Sequence, residues 1–230
     1  MSLRPIHSTG MKCSDRLQTV AEWIPPGATV ADIGADHAHL LIHLVLREKI
    51  IRGIAGELNK GPYDNARLQV ERAGLSDRIE VRRGDGLSVL KKGEVDAIVI
   101  AGMGGSLIAE ILERGKEKLS GVRRLILQPN NGGEKVRQWL RENGWSPVGE
   151  SLVEEGGILY EIIAAERGED EELYRQPPAS EEQLLILGPL LWKEKPPLLS
   201  KKWLQELNPR ERILNRVRAG QTEEAKRRAA

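Results

Sequence analysis

Five apolar runs rich in Val and Ile alternate with helix-like segments through the first two thirds of the chain, and this alternation constrains the fold more than any other feature. The runs are "ATVADIG", "IIRGIAGEL", "RIEVRRGDG", "VDAIVIAGMGG" and "RRLILQPN". The segments "HLLIHLVLREK", "GPYDNARLQVERAGL", "GSLIAEILERGKEKL" and "GGEKVRQWLRENGW" separate or follow them, with apolar residues such as Leu107, Ile108, Ile111 and Leu112 at helical spacing. Strand and helix in strict succession predict an α/β fold with a parallel sheet. Pro62 suits a first helical turn, and Gly74 and Gly144 fall where helices should stop.

After Trp145 the pattern changes. "PVGESLVEE" and "ILYEIIAAER", joined by Gly156 and Gly157, read as a β-hairpin. A Rossmann-like sheet that ends in a hairpin is the outline of a class I methyltransferase, whereas an NAD-binding domain more often continues its parallel winding. The acidic "GEDEELYRQPPAS" then reads as a linker. Beyond it comes a helical stretch broken at Pro189, at Pro196 with Pro197, and at Pro209, which favours two or three short helices over one long one. The expected organisation is a sheet domain over 1–167, an acidic linker over 168–183 and a helical domain over 184–230.

Strands of an open parallel sheet converge at their C-terminal ends, so residues just after each strand share one crevice. In the first such loop, "DIGADHAHL", only one glycine, Gly34, stands where a dinucleotide site would use several, and Asp32 and Asp36 would repel a pyrophosphate. The same carboxylates suit S-adenosylmethionine, which carries an ammonium and a sulfonium. Its carboxylate can be met by amides that open the next helix, with His37 as a helper.

Glu57 lies 23 residues after Gly34, where an acidic side chain can accept both ribose hydroxyls. Asp85, flanked by Gly84 and Gly86, suits the adenine amino group. Leu58, Ala101, Gly102 and Met103 complete the expected cofactor-binding set, with Met103 as an adaptable apolar wall. In "LQPNN", Gln128 and Asn130 flank Pro129, as polar residues do in enzymes that methylate adenine amino nitrogens, and are the candidates for orienting a base.

His37, His39 and His43 could in principle converge on a metal, but His43 falls among core residues and no metal is expected. The single cysteine, Cys13, excludes an internal disulfide, and the chain shows neither a signal core nor an apolar run of spanning length. Those features fit a cytoplasmic protein; a monomer is compatible with them.

Net charge is only +1, yet from Lys193 to the end eleven basic residues face five acidic ones, a suitable surface for phosphate. Lys201, Lys202, Arg210 and Arg212 are the candidates for RNA binding.

Taken in order, "RLQTVAEWIPPGATVADIGADHAHL", "GELNKGPYDNA", "GDGL", "AGMGG" and "LQPN" resemble the bacterial tRNA adenine-N1 methyltransferases acting at tRNA position 22, the TrmK family. The resemblance covers roughly residues 14–166 and implies S-adenosylmethionine as cofactor, tRNA as partner and N1 of an adenine as the acceptor. It also implies a C-terminal helical, coiled-coil-like domain that engages tRNA. Where the family pattern tends to have a tyrosine and a proline, this chain has His39 and Leu41, and Asn208 with Pro209 interrupts the last helix. The competing readings are a small-molecule methyltransferase, an NAD-dependent oxidoreductase and a non-catalytic RNA-binding module.

Overall fold

The computed structural model describes residues 13–206. Contacts divide the chain into two units, 1–169 and 170 onward. In the first, seven strands form one sheet in the order β3-β2-β1-β4-β5-β7-β6.

The strands are β1 (Ala28–Ile33), β2 (Ile50–Glu57), β3 (Ile79–Arg83), β4 (Ala97–Gly104), β5 (Arg124–Asn131), β6 (Trp145–Glu155) and β7 (Ile158–Arg167). The helices of this unit are α1 (Asp15–Glu22), α2 (His39–Leu46), α3 (Lys60–Arg72), α4 (Gly105–Arg114) and α5 (Gly133–Glu142). All five strands expected from the alternation are present and parallel to one another, and the hairpin adds β7 antiparallel to β5 and β6 antiparallel to β7.

The central strands read as continuous apolar runs because both faces are covered. Along β4, Ala97 and Val99 pack in one core with Val20 of α1, Leu41 and Val45 of α2 and Val70 of α3. Ile98 and Ile100 point the other way, into a core with Ile108 and Leu112 of α4 and Val136 and Leu140 of α5. Fully burying one such side chain is worth about 1.5–3 kcal/mol. Without any Phe, the buried side chains of these two cores are aliphatic apart from Trp139 and Trp145, with Trp23 packed partly buried against the first.

α2, "HLLIHLVL", is apolar almost all round, as befits a helix buried along most of its length. β6 carries a register shift between Pro147 and Gly149. Pro147 lacks the N–H that a regular ladder would use, which explains an irregularity at this point.

The second unit is described by itself. The acidic stretch does not run as a free linker: residues Glu171–Tyr174 form a 3-10 turn capped by the Asp170 side chain, and Leu173 and Tyr174 are buried with Leu184. Helices α6 (Glu181–Leu187) and α7 (Pro189–Glu194) follow, and residues 199–206 are helical up to the last one described. Ser180 and Gln183 form a capping box that starts α6, while Pro189 starts α7 at a position where its missing N–H costs nothing. Short helices separated by prolines match the sequence expectation; the Asn208 and Pro209 step lies outside the described residues.

Candidate active site

The order of strands reverses between β1 and β4, and the crevice at their C-terminal ends is where an open α/β sheet binds its ligand. Asp32 and Glu57 come from the ends of β1 and β2, and both are buried. Burial, and then the Glu57 carboxylate, push the Asp32 carboxyl up to about 7, while Arg16 draws it back down. Glu57 is also raised, chiefly by burial, although its Oε1 accepts the Asp36 N–H at 2.9 Å. Two buried carboxylates at neighbouring strand ends, with Glu57 raising Asp32 and Asp36 raising Glu57, make a place where a cation is welcome.

The loop between β1 and α2 reaches its shape almost without glycine. Asp36, His37 and Ala38 take φ values of 34°, 67° and 58°, a left-handed run that ordinary residues avoid. Such conformations cost of order 1–3 kcal/mol each and persist where the surroundings impose them. Here Glu57 holds the Asp36 amide, and the Ala38 N–H bonds to the Ala35 carbonyl at 3.0 Å. His37 stacks on His39 with ring centroids 5.3 Å apart, and its Nε2 lies 3.3 Å from Asp36 Oδ1. Among the described residues no group of three His, Cys, Asp or Glu side chains is arranged to hold a metal.

Gly34 is favoured by its φ of +73°, in the left-handed region, and a Cβ there would also come within 2.3 Å of Met103 Cε, the flexible end of that side chain. The backbone at the β1 end therefore touches the Met103 side chain directly. The "AGMGG" glycines divide their tasks: a side chain on Gly105 would strike the Gly132 carbonyl at 2.0 Å, so Gly105 serves the packing of α4 beside α5. Gly102 instead faces open space, with only Arg16 Nη1 at 4.0 Å.

Asp85 follows β3 and is engaged by a residue that the sequence did not single out. Arg114 of α4 donates to it at 2.6 and 3.4 Å. Both side chains remain half exposed.

Gln128 and Asn130, assigned one shared task from sequence, are separated by the structure. Gln128 is completely buried. Its Oε1 accepts from Arg16 Nη1 at 2.7 Å and from the Gly102 N–H at 3.1 Å, and its Nε2 donates to Asn130 Oδ1 at 3.1 Å. Asn130 in turn donates to the Gly102 carbonyl at 2.8 Å and is itself exposed. A side chain with no exposed surface does not touch a base, so direct orientation of the base by Gln128 is corrected to a role in holding Asn130.

Arg16, which brings α1 into the site, was missed. Its guanidinium also lies 5.3 Å from the centre of the Tyr160 ring, a cation–π distance. The signal was present in the "RLQTVAEW" motif, but nothing local in that stretch marks Arg16 as different from a surface arginine.

Of the RNA-binding candidates, Lys201 is half-buried and Lys202 is buried. Lys202 therefore offers little surface to a phosphate, since the residue as a whole is only 5 % exposed. Arg210 and Arg212 lie outside the described residues.

A parallel sheet closed by an antiparallel hairpin, with acidic residues ending β1 and β2 at the reversal of strand order, defines a class I methyltransferase. The comparisons with known proteins narrow this. Residues 30–230 match the model of the TrmK family, tRNA (adenine(22)-N(1))-methyltransferase. The tRNA (adenine(22)-N(1))-methyltransferase of Bacillus subtilis is 49% identical over 217 residues, covering 94% of this chain and 90% of that protein.

The crystal structure of the B. subtilis m1A22 tRNA methyltransferase TrmK superposes with a TM-score of 0.85 at 50% identity, over 90% of this chain and 87% of that one. A Streptococcus pneumoniae protein solved in complex with S-adenosyl-L-methionine gives a TM-score of 0.79 at 44% identity, covering 87% of this chain and 90% of that chain. This chain belongs to the TrmK family.

Proposed function

We propose that this protein transfers a methyl group from S-adenosylmethionine to N1 of an adenine in tRNA, at position 22. The observation that carries the cofactor reading is the pair of buried carboxylates Asp32 and Glu57 at the strand ends, Asp32 raised by burial and by Glu57, and Glu57 raised chiefly by burial. The donor set fits the group: acidic side chains for its cations and ribose, the Gly34 approach for its backbone contact, and an apolar wall from Met103. When bound, S-adenosylmethionine supplies an electrophilic methyl on a sulfonium. Asp32 would face its ammonium, Glu57 its ribose and Asp85 its adenine amino group, with the amides near His37 for the carboxylate. Leu58, Gly84, Gly86 and Ala101 would line the remaining approach.

Adenine N1 is unprotonated at neutral pH, so its lone pair forms the new N–C bond as the C–S bond breaks toward sulfur, and no strong base is required. Positive charge then develops on the ring. The protein's part is alignment, together with an acceptor for the N6 amino group as it becomes more acidic. Asn130, exposed at the end of β5, is that acceptor; Asp36 or His37 at the same crevice is the other candidate helper. Because N1 lies on the pairing edge, the target base has to be unpaired or flipped, at a cost of about a few kcal/mol. The unit from 170 onward, basic beyond Lys193, is assigned to holding tRNA, with Lys201, Arg210 and Arg212 on phosphates.

The test is to incubate the purified protein with labelled S-adenosylmethionine and unmodified tRNA, digest the RNA and identify the labelled nucleoside. N1-methyladenosine, lost in Asp32→Ala, is the expected product. Cofactor binding without any label in tRNA would leave the fold assignment standing and overturn the substrate.

A further inference from the structure

Four polar groups from three distant parts of the chain form one directed hydrogen-bond chain beside the crevice. It runs from Arg16 of α1, through Gln128 and Asn130 of β5, to the Gly102 backbone of β4. Its direction is fixed by chemistry. A guanidinium and a backbone N–H can only donate, so the atom of Gln128 that meets both must be its oxygen. The Gln128 amide nitrogen is then left facing Asn130 and requires an oxygen there. At the far end the Gly102 carbonyl can only accept, so it requires the Asn130 nitrogen. Every amide in the chain therefore has one orientation that satisfies it.

We propose that Arg16 is a positioning residue for the methyl transfer. Through Gln128 it fixes the Asn130 carboxamide with its oxygen turned so that the second lone pair accepts the N6 amino group of the target adenine. This rests on the proposed tRNA adenine-N1 reading. The Gly102 N–H at 3.1 Å is the weaker of the two bonds on Gln128 Oε1 and is uncharged, whereas the Arg16 bond at 2.7 Å is charge-assisted. Without Arg16 the Gln128 amide loses its stronger restraint, and reversal would set its oxygen against Asn130 Oδ1. Asn130 would then turn a donor toward an amino group that is itself a donor. α1 is thereby part of the reaction geometry, although Arg16 itself does not touch the base.

The decisive variant is Gln128→Glu. It keeps the Arg16 contact and makes it an ion pair, so a purely structural role for Arg16 is preserved or strengthened. The second oxygen of the introduced carboxylate, however, faces Asn130. Either orientation of the Asn130 amide now sets oxygen against oxygen, at that carboxylate or at the Gly102 carbonyl. Arg16→Ala, Arg16→Lys and Gln128→Glu are compared with the wild type at pH 8.5. The readouts are kcat and KM for methylation of an unmodified tRNA transcript and the S-adenosylmethionine Kd by calorimetry.

The expected pattern is a tenfold or greater fall in kcat for Arg16→Ala, partial recovery in Arg16→Lys, and a fall at least as large in Gln128→Glu. KM for tRNA and the cofactor Kd should stay within about twofold, which also reports a folded crevice. Wild-type kcat in Gln128→Glu, no recovery in Arg16→Lys, or a loss of cofactor affinity that matches the loss of kcat would each overturn the proposal. Absence of N1-methyladenosine from the wild-type reaction would instead overturn the substrate reading on which it rests.

Discussion

The Trp23 ring occupies the place that a side chain at Gly149 would take: a Cβ built there would lie 1.8 Å from Cη2 and 2.1 Å from Cζ3. Trp23 also donates from Nε1 to Ser151 Oγ at 3.0 Å, and the N–H of Asp15 donates to Glu155 at 2.9 Å. These contacts seat both ends of α1 on β6, and α1 carries Arg16.

Gly149→Ala is therefore expected to act on the reaction from a distance. The ring has to leave its seat, α1 shifts, and the Arg16 bond to Gln128 is lost. Overpacking of this kind costs about 1–3 kcal/mol. Thermal unfolding should register that loss, and kcat should fall about tenfold at temperatures where the variant remains folded. A variant with lowered stability and unchanged kcat would show that the seating of α1 and the chemistry are separate.

Asp32 gives a pH dependence whose sign differs from that of an ordinary salt-bridged aspartate. Its folded value, about 7, stands above the usual 3.8, so folding takes up a proton. The resulting penalty is absent below about pH 4, grows between 4 and 7, and is complete above 7. Asp32→Asn should raise the melting temperature of the cofactor-free protein at pH 8, by the equivalent of at most a few kcal/mol, and have little effect at pH 4. The same variant should bind S-adenosylmethionine poorly. In the wild type, affinity should weaken as pH falls below 7, by up to tenfold per unit, because the ammonium needs the ionised carboxylate. Calorimetry from pH 5.5 to 8.5 checks both; a flat affinity profile would remove Asp32 from the cofactor site.

What the sequence disclosed follows from locality. β4 is legible as "AIVI" because burial on both faces leaves no polar positions, and the hairpin is legible because Gly156 and Gly157 mark its turn. Asp32 and Glu57 could be singled out because each ends an apolar run. Arg16 could not, since its partner Gln128 is 112 residues away. Nor does "LQPNN" reveal that Gln128 is buried while Asn130 is exposed, because that depends on the neighbouring strands and on α1. The left-handed run at Asp36, His37 and Ala38 is hidden for a related reason: no glycine announces it, and Glu57 from another strand stabilises it. The acidic stretch reads as a linker because its charges outnumber its apolar residues, yet Leu173 and Tyr174 are buried in a cluster with Leu184 from α6, a contact that no local pattern announces.

Arg137 of α5 offers a test of the hairpin's attachment. It is completely buried, donates to Glu150 of β6 at 2.6 Å and also bonds Glu161 of β7. Removing one partner of a buried ion pair leaves the other charges uncompensated, at a cost of about 3–5 kcal/mol. Arg137→Met should lower the urea midpoint accordingly. Combining it with Glu150→Leu and Glu161→Leu should recover part of the loss, since the stranded charges are then gone. If the single variant costs less than about 1 kcal/mol, the triad contributes little to holding α5 against the hairpin.

The proposed role of Asp85 at the cofactor's adenine end can be separated from its ion pair with Arg114. An ionised carboxylate has about four acceptor sites, so Asp85 can keep Arg114 and still accept a cofactor amino group. The ion pair is half exposed and worth about 0–1 kcal/mol. A hydrogen bond to a charged group is worth about 1.5–3 kcal/mol. Asp85→Ala should therefore weaken S-adenosylmethionine binding about tenfold or more, while Arg114→Ala should change it less than about threefold. Replacing the 6-amino group of the cofactor's adenine with hydrogen separates the two contributions. The analogue should lose affinity for the wild type and for Arg114→Ala, but not for Asp85→Ala, which has already lost the acceptor. Equal damage from both substitutions, with the analogue's penalty gone in each, would mean that Arg114 is required to aim the carboxylate, so that the contact between α4 and the β3 end is part of the cofactor site.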